Sequence, residues 1–403
     1  MFSFKCEKCK VEKENYWGRF CPQCGSSVNS LSSKFLNLNL SYPLPQRQIK
    51  NLPKICASGR SVIAPDSSAN KFYVFAIQDN GQLPVLGRQS LNSISVGGDI
   101  FESSDPVFDG LYFNFLNGNK LYRVAAEENV EKQKIVSEIL GIPHDFPKSN
   151  TLLIHEDLLR LLIFQYNDNL IFLDVRTDDE NLTRKDVSVR QYIMQGEKLH
   201  LLYSEKNRCG YAVTRNAKVF SFEPSDFTND TIALNQLPVK NFGNYEVISS
   251  KLVGERIKIL SKTSEGGVSI IQYELDSGQF REHKIKPGPV NIDATNVIFT
   301  KEHTLIKNTT SPDQFIKVFN DGIIVNIEIK GLYPALSVIC NNKILTVDRA
   351  KSELNVLLED SFVHQNPVHL SNGLGSNVLP LQLYDTANLA FLLTNEDLRA
   401  ISF

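Results

Sequence analysis

The stretch Leu111-Tyr-Phe-Asn-Phe-Leu-Asn-Gly-Asn-Lys-Leu-Tyr-Arg-Val124 decides the fold class of this chain. It contains two short runs of aromatic and aliphatic residues, joined by the polar turn Asn117-Gly-Asn119. Short apolar runs on both sides of a tight Asn/Gly turn are typical of a β-hairpin. The stretch therefore predicts two antiparallel strands.

The same pattern of strand, polar turn and strand recurs along the chain. Further examples are the segments 161–174, 211–222 and 389–401. The second strand of each hairpin starts near one of eight residues: Lys71, Asn119, Asn169, Ala217, Gly267, Phe315, Glu353 and Asp397. A period of about 40 to 50 residues with about four short strands per unit is the signature of a β-propeller. The count gives eight units, although residues 35–403 also divide into seven.

In this period the chain resembles WD-repeat propellers, although the Trp-Asp dipeptide and the Gly-His marker of those repeats are absent. The predicted fold class is therefore all-β, with seven or eight four-stranded blades. The last strand, Leu398-Arg-Ala-Ile-Ser-Phe403, lacks an outer neighbour in its own hairpin unit. The alternating segment Phe35-Leu-Asn-Leu-Asn-Leu-Ser41 can supply one, so we expect the N- and C-terminal strands to pair and close the propeller.

One stretch between Glu127 and Leu140 also fits a helix. Val130, Ile135, Ile139 and Leu140 could form an apolar stripe at helical spacing. Two strands fit the same residues almost as well, and both interpretations stay open at this point.

Four cysteines near the N-terminus have the spacing of a metal site. Cys6 and Cys9 form one C-x-x-C pair, and Cys21 and Cys24 form a second pair after eleven residues. Four thiolates complete the tetrahedral coordination of Zn²⁺ and leave no open position, so we predict one structural zinc ion. A redox pair is disfavoured because there are two pairs at this spacing.

The segment Gly18-Arg-Phe-Cys-Pro-Gln-Cys-Gly25 resembles the second knuckle of a zinc ribbon. The short gap between the two pairs argues against an iron-binding rubredoxin, which shares the C-P-x-C-G motif. Gly25 allows a positive φ after the last ligand, so that backbone amides can point at sulfur. The predicted domains are a zinc ribbon at 1–28, a linker at 29–34 and a propeller at 35–403.

Basic and aromatic residues lie together in the ribbon. Residues 1–34 hold six Lys/Arg and three Glu, formally +3, whereas residues 35–403 are formally −5. Four thiolates and Zn²⁺ reduce the ribbon to about +1. Trp17 and Phe20 are expected to form a small apolar cluster over the metal, with a docking surface as the alternative reading. Nucleic-acid binding through the ribbon is a second functional hypothesis, based on five basic and three aromatic side chains: Lys5, Lys8, Lys10, Lys13, Arg19, Tyr16, Trp17 and Phe20.

Composition favours a soluble cytoplasmic protein. The chain has 403 residues, 42% hydrophobic residues and a formal net charge of −2. It contains no apolar run long enough to cross a membrane and no secretory signal pattern, so we expect a reducing cytoplasm. In such a compartment paired cysteines indicate a metal site and not disulfides. The dispersed Cys56, Cys209 and Cys340 are expected to be buried, inert thiols.

No sequence motif indicates catalysis. Phosphate-binding loops, nucleophile elbows and H-E-x-x-H helices are absent from the sequence. His155-Glu156-Asp157 is interpreted as a solvated turn, and His364 and His369 have no ligand-pair spacing. Asp79-Asn-Gly81, Asp276-Ser-Gly278 and Asn320-Asp-Gly322 are interpreted as hairpin turns.

The leading hypothesis is a non-catalytic scaffold that binds protein partners, and a hydrolase or lyase with an unfamiliar channel site is a third alternative.

Overall fold

The computed structural model of the chain is built from β-sheets. It describes residues 3–5, 10, 12–14, 38–48, 51–59, 61–79, 84–156, 159–176, 182–189, 197–228, 232–237, 245–263, 267–285, 292–308, 311, 313–340, 342–370, 382–386 and 389–403. These residues form eight four-stranded antiparallel sheets, which confirms the predicted all-β propeller and sets the number of blades at eight. In seven sheets the strands are neighbours in chain order, as expected for sheets built from consecutive hairpins. We number the blades in chain order.

The chain divides into two compact units. The first comprises Met1–Lys148 and Leu336–Phe403 and holds blades 1, 2, 7 and 8. Blade 1 contains β4 (Cys56–Ser58), β5 (Ser61–Asp66), β6 (Lys71–Asp79) and β7 (Pro84–Ser95). Blade 2 contains β8 (Val107–Phe108), β9 (Tyr112–Asn117), β10 (Lys120–Ala125) and β11 (Lys134–Glu138). Blade 7 contains β28 (Ser337–Cys340), β29 (Lys343–Asp348), β30 (Glu353–Leu358) and β31 (Val368–His369). Blade 8 contains β32 (Gln382–Thr386), β33 (Leu389–Leu393), β34 (Asp397–Ser402) and β3 (Asn39–Pro43).

The second unit, Ser149–Ala335, holds blades 3 to 6. Blade 3 contains β12 (Thr151–Glu156), β13 (Leu159–Tyr166), β14 (Asn169–Asp174) and β15 (Arg184–Ser188). Blade 4 contains β16 (His200–Ser204), β17 (Cys209–Val213), β18 (Val219–Phe222) and β19 (Asn235–Gln236). Blade 5 contains β20 (Tyr245–Val253), β21 (Arg256–Thr263), β22 (Val268–Glu274) and β23 (Phe280–Ile285). Blade 6 contains β24 (Ile292–Phe299), β25 (His303–Asn308), β26 (Gln314–Phe319) and β27 (Ile324–Glu328).

Helical structure is confined to short turns in the described part of the chain. Three 3-10 helices are present, at Ile100–Glu102, Pro224–Thr228 and Pro334–Leu336. The helical reading of Glu127 to Leu140 is wrong, because β11 occupies Lys134–Glu138 and pairs with β10. Ile135 points into the core of the blade whereas Val136 is exposed, which is the two-residue alternation of a strand. Among the described residues, no helix has the length and apolar character needed to cross a membrane.

Blade 8 joins the two ends of the chain. Its outer strand β3 pairs with β34 in antiparallel register, from Asn39 opposite Ile401 to Pro43 opposite Asp397. The predicted pairing of N- and C-terminal strands is therefore confirmed. The described strand begins at Asn39, and residues 35–37 of the predicted segment lie outside the described residues.

Aromatic side chains fill the space between neighbouring blades of each unit. In the first unit, the rings of Phe72 in blade 1 and Phe115 in blade 2 lie 4.2 Å apart. In the second unit, the rings of Phe172 in blade 3 and Phe222 in blade 4 meet edge to face at 5.4 Å. All four side chains are fully buried. Complete burial of one such ring stabilises a fold by about 2 kcal/mol, so these contacts hold blade 1 against blade 2 and blade 3 against blade 4.

Candidate interaction surface

The outer strand of blade 6 exposes a run of aliphatic side chains. Ile323, Ile324 and Val325 are 57%, 42% and 36% exposed. Other exposed large aliphatic residues in the described part of the chain are scattered: Val85, Leu91, Leu111, Val136, Leu140, Leu358 and Val363. Contiguous exposed apolar residues are a mark of interaction sites, whereas single ones are common. We call the segment 323–328 the blade-6 edge.

The hydrogen-bond pattern fixes which backbone groups lie at the open side of the blade-6 edge. The N–H of Phe319 donates to the carbonyl of Ile323 at 2.9 Å, and the N–H of Ile329 donates to the carbonyl of Asp313 at 2.8 Å. Because hydrogen-bonded and non-hydrogen-bonded pairs alternate in an antiparallel ladder, the peptide groups at odd positions face β26. The N–H and C=O groups of Ile324, Asn326 and Glu328 therefore point away from the sheet, on the side where the sheet order places no described strand.

Three other outer strands carry charges at the equivalent positions. The same register argument gives three outward-facing residues on each strand: Lys134, Val136 and Glu138 on β11; Arg184, Asp186 and Ser188 on β15; and Phe280, Glu282 and Lys284 on β23. Each set includes a basic residue, and β3 ends on Pro43. Lysine, arginine and proline protect edge strands from pairing with other chains. The outward positions of the blade-6 edge have neither a basic residue nor a proline.

One side of the blade-6 edge continues the packing against blade 5. Ile316 and Val318 on β26 belong to a buried cluster with Leu260 and Ile270 of blade 5. Ile324 and Asn326 lie directly opposite Val318 and Ile316, so their side chains share that face. We call it the blade-5 face.

The opposite side, which we call the aliphatic face, carries Ile323, Val325 and Ile327. Lys317 lies directly across the ladder from Val325. Its ammonium group sits 4.4 Å from the centre of the Phe319 ring. A cation over an aromatic ring is held by the quadrupole of that ring. The aliphatic face therefore has one positive charge beside its middle residue.

A buried histidine lies behind Lys317. The ring centres of His303 and Phe319 are 6.2 Å apart, and His303 is 2% exposed. Burial, together with the positive charges of Lys317 and Lys258, lowers the pKa of His303 to about 3. His303 therefore stays neutral across the physiological pH range, and Lys317 carries the charge at this place.

The turn before the blade-6 edge is anchored to blade 5. Gly322 has a φ of +97°, and a Cβ atom at this position would lie 2.8 Å from Nδ1 of His283. Both the backbone conformation and this close approach require glycine. Burial lowers the pKa of His283, and its hydrogen bond with the backbone of Asn320 opposes that shift.

A fully buried lysine fixes the same turn from within the unit. The ammonium group of Lys258 donates to Oδ1 of Asn320 at 2.7 Å, to the carbonyl of Thr300 at 2.8 Å and to the carbonyl of His303 at 3.2 Å. A buried charge is tolerated only when its hydrogen bonds are satisfied. Lys258 thus ties β21 of blade 5 to the two turns that precede β25 and β27, and so positions the blade-6 edge.

Comparison of the whole chain with known proteins identifies its fold type. The C-terminal WD40 domain of Sif2 superimposes with a TM-score of 0.55 at 8% identity, covering 91% of this chain and 99% of that one. Sqt1 from Saccharomyces cerevisiae gives 0.53 at 10% identity over 93% and 99% of the two chains. The apo form of AztD from Citrobacter koseri gives 0.50 at 14% identity over 80% and 87%. The fold is a WD40-like β-propeller. No protein-family model and no curated protein sequence matches this propeller chain.

The predicted zinc ligands Cys6, Cys9, Cys21 and Cys24 lie outside the described residues, as do Trp17 and Phe20. Among the residues that are described, no three His, Cys, Asp or Glu side chains lie together as a metal-binding group. Zinc binding by these four cysteines therefore remains a prediction from the sequence.

Other residues singled out in the sequence are dispersed over the propeller. Cys56 is buried as predicted, whereas Cys209 is only half-buried, and Cys340 ends β28. Nδ1 of His369 lies 3.2 Å from Oε1 of Glu353, and the side chain of His369 is 80% exposed. His364 is also exposed. His155 and Glu156 end β12, while Asp157 lies outside the described residues. The turns at Asp276–Gly278 and Asn320–Gly322 connect strands as predicted, whereas Asp79 ends β6 and the rest of its turn is not described.

The blade-6 edge was not recognised in the sequence. Its signal is present there, since the turn Asn320-Asp-Gly322 is followed by Ile323-Ile-Val-Asn-Ile327 with no basic residue. Such a run is equally typical of a buried strand. The sequence alone does not show that this strand is the outermost strand of its blade.

Proposed function

We propose that the chain is a non-catalytic protein-interaction scaffold, in which the propeller is the docking disc and the blade-6 edge is its principal contact. The observation that carries this proposal is the unprotected blade-6 edge, where Ile323, directly before β27, and Ile324 and Val325 within β27 are exposed. A partner that adds a strand there would pair with the outward peptide groups of Ile324, Asn326 and Glu328. The likeness to the WD40 domain of Sif2 supports the proposal at the level of fold only.

A photocrosslinking experiment tests this function. A p-benzoylphenylalanine side chain is introduced at Asn326, and in a matched control at Asp186, which has the same outward position on β15. We expect the side chain at position 326 to crosslink one defined protein from a lysate of the source cells. An excess of a synthetic peptide that pairs with β27 as an added strand should reduce the amount of this crosslinked product. Equal products from both positions, or none from Asn326, would contradict docking at the blade-6 edge.

We further propose that Cys6, Cys9, Cys21 and Cys24 hold one structural zinc ion in a ribbon that serves as a second docking element in a multiprotein, regulatory assembly. Two observations support the ribbon. Ser3–Lys5 (β1) and Glu12–Glu14 (β2) pair as a small antiparallel sheet. Lys10, directly after Cys9, has a φ of +59°. A positive φ after the second cysteine of a pair suits a metal knuckle, in which backbone amides point at sulfur. Thiolate ligands of this kind fit a reducing cytoplasm.

A further inference from the structure

The aliphatic row of the blade-6 edge reads the same in both directions. Ile323, Val325 and Ile327 lie at every second position, so Val325 is the centre of a symmetric Ile-x-Val-x-Ile pattern. A two-fold symmetric interface places the same surface on both copies of a chain, and the surface must therefore be complementary to itself. In antiparallel pairing about Val325, each aliphatic residue of the row lies opposite an aliphatic residue of the second copy.

The backbone of the blade-6 edge fits the same two-fold axis. Its outward N–H and C=O groups belong to the even positions Ile324, Asn326 and Glu328. When two copies pair about Val325, Ile324 of each copy lies opposite Asn326 of the other, and these two residues exchange both backbone hydrogen bonds. Val325 then faces its own counterpart in a non-hydrogen-bonded pair, in which opposed side chains come closest.

The distribution of charge favours this register over the two adjacent ones. Centring the pair on Asn326 places Glu328 opposite Ile324 of the second copy. Centring it on Ile324 places the carboxylate of Asp321 opposite the last aliphatic residue of the row. In the register centred on Val325, Glu328 lies opposite the glycine of the preceding turn, and no charged side chain lies opposite an aliphatic one.

The size of the edge sets the strength of such a dimer. The six residues 323–328 span about 20 Å, and a sheet occupies about 10 Å of depth, which gives roughly 200 Å² of contact on each copy. Stable specific interfaces bury about 1,200 to 2,000 Å² in total. Self-pairing of this edge is therefore weak and reversible, so that a partner strand can displace the second copy.

We propose that the blade-6 edges of two copies of this chain pair antiparallel about Val325, in a weak dimer that a partner strand displaces. This inference rests on the docking edge proposed above and adds its regulation, because the second copy uses the same outward peptide groups as the partner. Self-pairing covers the exposed aliphatic side chains while no partner is bound. The concentration of the chain then regulates access to the edge by mass action.

Disulfide trapping tests the register. The Val325→Cys variant should link two copies under mild oxidation, because opposed residues of a non-hydrogen-bonded pair have Cα atoms about 4.5 Å apart, within the range of a disulfide. Ile323→Cys and Ile327→Cys should not form linked dimers alone, but should link to each other when the two variants are mixed. The wild type under the same oxidation gives the background from the native cysteines. Absence of a Val325→Cys link above that background, or links in Ile323→Cys alone, would overturn the register.

Sedimentation equilibrium tests the strength of the dimer. We expect the wild type to show a reversible monomer–dimer equilibrium between micromolar and millimolar concentrations. Val325→Lys brings two ammonium groups together at the axis and should weaken the dimer at least about tenfold. Val136→Lys makes the same change at an exposed valine of β11 and should keep the wild-type dissociation constant. A wild type that stays monomeric, or equal effects of the two substitutions, would overturn the proposal.

A peptide of residues 320–330 tests the displacement. An excess of this peptide should reduce trapping of Val325→Cys at least about fivefold, whereas the same peptide with lysine in place of Val325 should have little effect. Trapping that the peptide does not reduce would overturn the displacement.

The outcomes separate this inference from the docking function. A monomeric wild type whose position 326 crosslinks a different protein would overturn self-pairing and leave the scaffold function standing. A dimer centred on Val325, with no different protein crosslinked at position 326 in a dilute lysate, would support self-pairing and contradict the scaffold function. Absence of both would overturn both.

Discussion

The N–H of Leu38 donates to the side-chain oxygen of Ser402 at 2.7 Å, and the N–H of Ser402 donates back to the carbonyl of Leu38 at 3.0 Å. These two residues are 364 positions apart in the chain. Their reciprocal hydrogen bonds lie at the end of the β3–β34 pairing and complete blade 8.

The Ser402→Ala variant should lower the free energy of unfolding by about 1 kcal/mol, because it removes one partly buried hydrogen bond and keeps the backbone pairing. Urea denaturation monitored by circular dichroism measures the change. Ser361, an exposed residue of the loop after β30, provides the control, and Ser361→Ala should stay within about 0.5 kcal/mol of the wild type. Equal effects of the two substitutions would contradict a stabilising role for Ser402.

The Lys258→Met variant should lose about 3 kcal/mol of unfolding free energy, since it removes the ammonium donor from the carbonyl of Thr300 and from Oδ1 of Asn320, whereas the carbonyl of His303 keeps its hydrogen bonds from Thr300. Lys262→Met, on the same strand but exposed, is the control and should have little effect. Urea denaturation measures the free energy of unfolding of both variants. A loss at Lys258 no greater than that at Lys262 would rule out the anchoring role of Lys258.

Stability should fall in mild acid because of His303. Its pKa is lowered to about 3 in the folded protein from 6.5, so below pH 6.5 the unfolded chain binds a proton that the folded chain does not. The free energy of unfolding therefore decreases as the pH falls from about 6.5 towards 3, and His303 contributes about 2 kcal/mol of loss between pH 7 and pH 5.

Urea denaturation of the wild type and of His303→Gln at both pH values isolates this contribution. The variant should lose less stability between pH 7 and pH 5 than the wild type. An identical pH dependence in His303→Gln would show that another group is responsible.

Proline substitutions test the direction of the peptide groups in β27. Asn326→Pro removes an N–H that points away from the sheet, whereas Val325→Pro removes one that faces β26. We expect Asn326→Pro to remain folded and to abolish strand addition, and Val325→Pro to lower the unfolding free energy by at least about 1 kcal/mol more than Asn326→Pro. Thermal unfolding of both variants provides the measurement. The reverse order of stability would mean that the register derived for the blade-6 edge is wrong.

Zinc content tests the cysteine prediction. We expect one zinc ion per chain by inductively coupled plasma mass spectrometry, and none in Cys21→Ser, because four thiolates are needed for closed coordination. The far-ultraviolet circular dichroism of the propeller and its thermal transition should be almost unchanged in this variant. Loss of the whole fold on zinc removal would contradict an independent ribbon.

Turn chemistry and strand alternation were enough to predict most of the fold. The third strand of each blade begins within two residues of its predicted start, from Lys71 in blade 1 to Asp397 in blade 8. Tight Asn/Asp/Gly turns fix where a hairpin reverses, so these positions depend on local residues. The number of blades was left open because residues 35–403 divide as well into seven units, and because the repeats shorten to about 40 residues late in the chain.

The candidate surface needed the structure. Ile324 and Ile316 are both aliphatic residues in strands of blade 6, yet Ile324 is 42% exposed and Ile316 is 3% exposed. The difference comes from strand position, since β26 has neighbours on both sides and β27 on one. The hydrogen bonds of Lys258 could not be predicted either, because their acceptors are the backbone carbonyls of Thr300 and His303 and Oδ1 of Asn320, which lie 42 to 62 residues away in the chain.

Blade 8 combines strands that are far apart in the chain, and this affects when the blade can form during synthesis. Seven blades are built from contiguous segments, so each can form its sheet from local contacts soon after its residues leave the ribosome. Blade 8 cannot do so, because β3 precedes the strands of the seven other blades and β34 follows them. Until β34 emerges, β3 has no partner strand, and the pairing of Asn39 with Ile401 is a step that follows synthesis of the other seven blades.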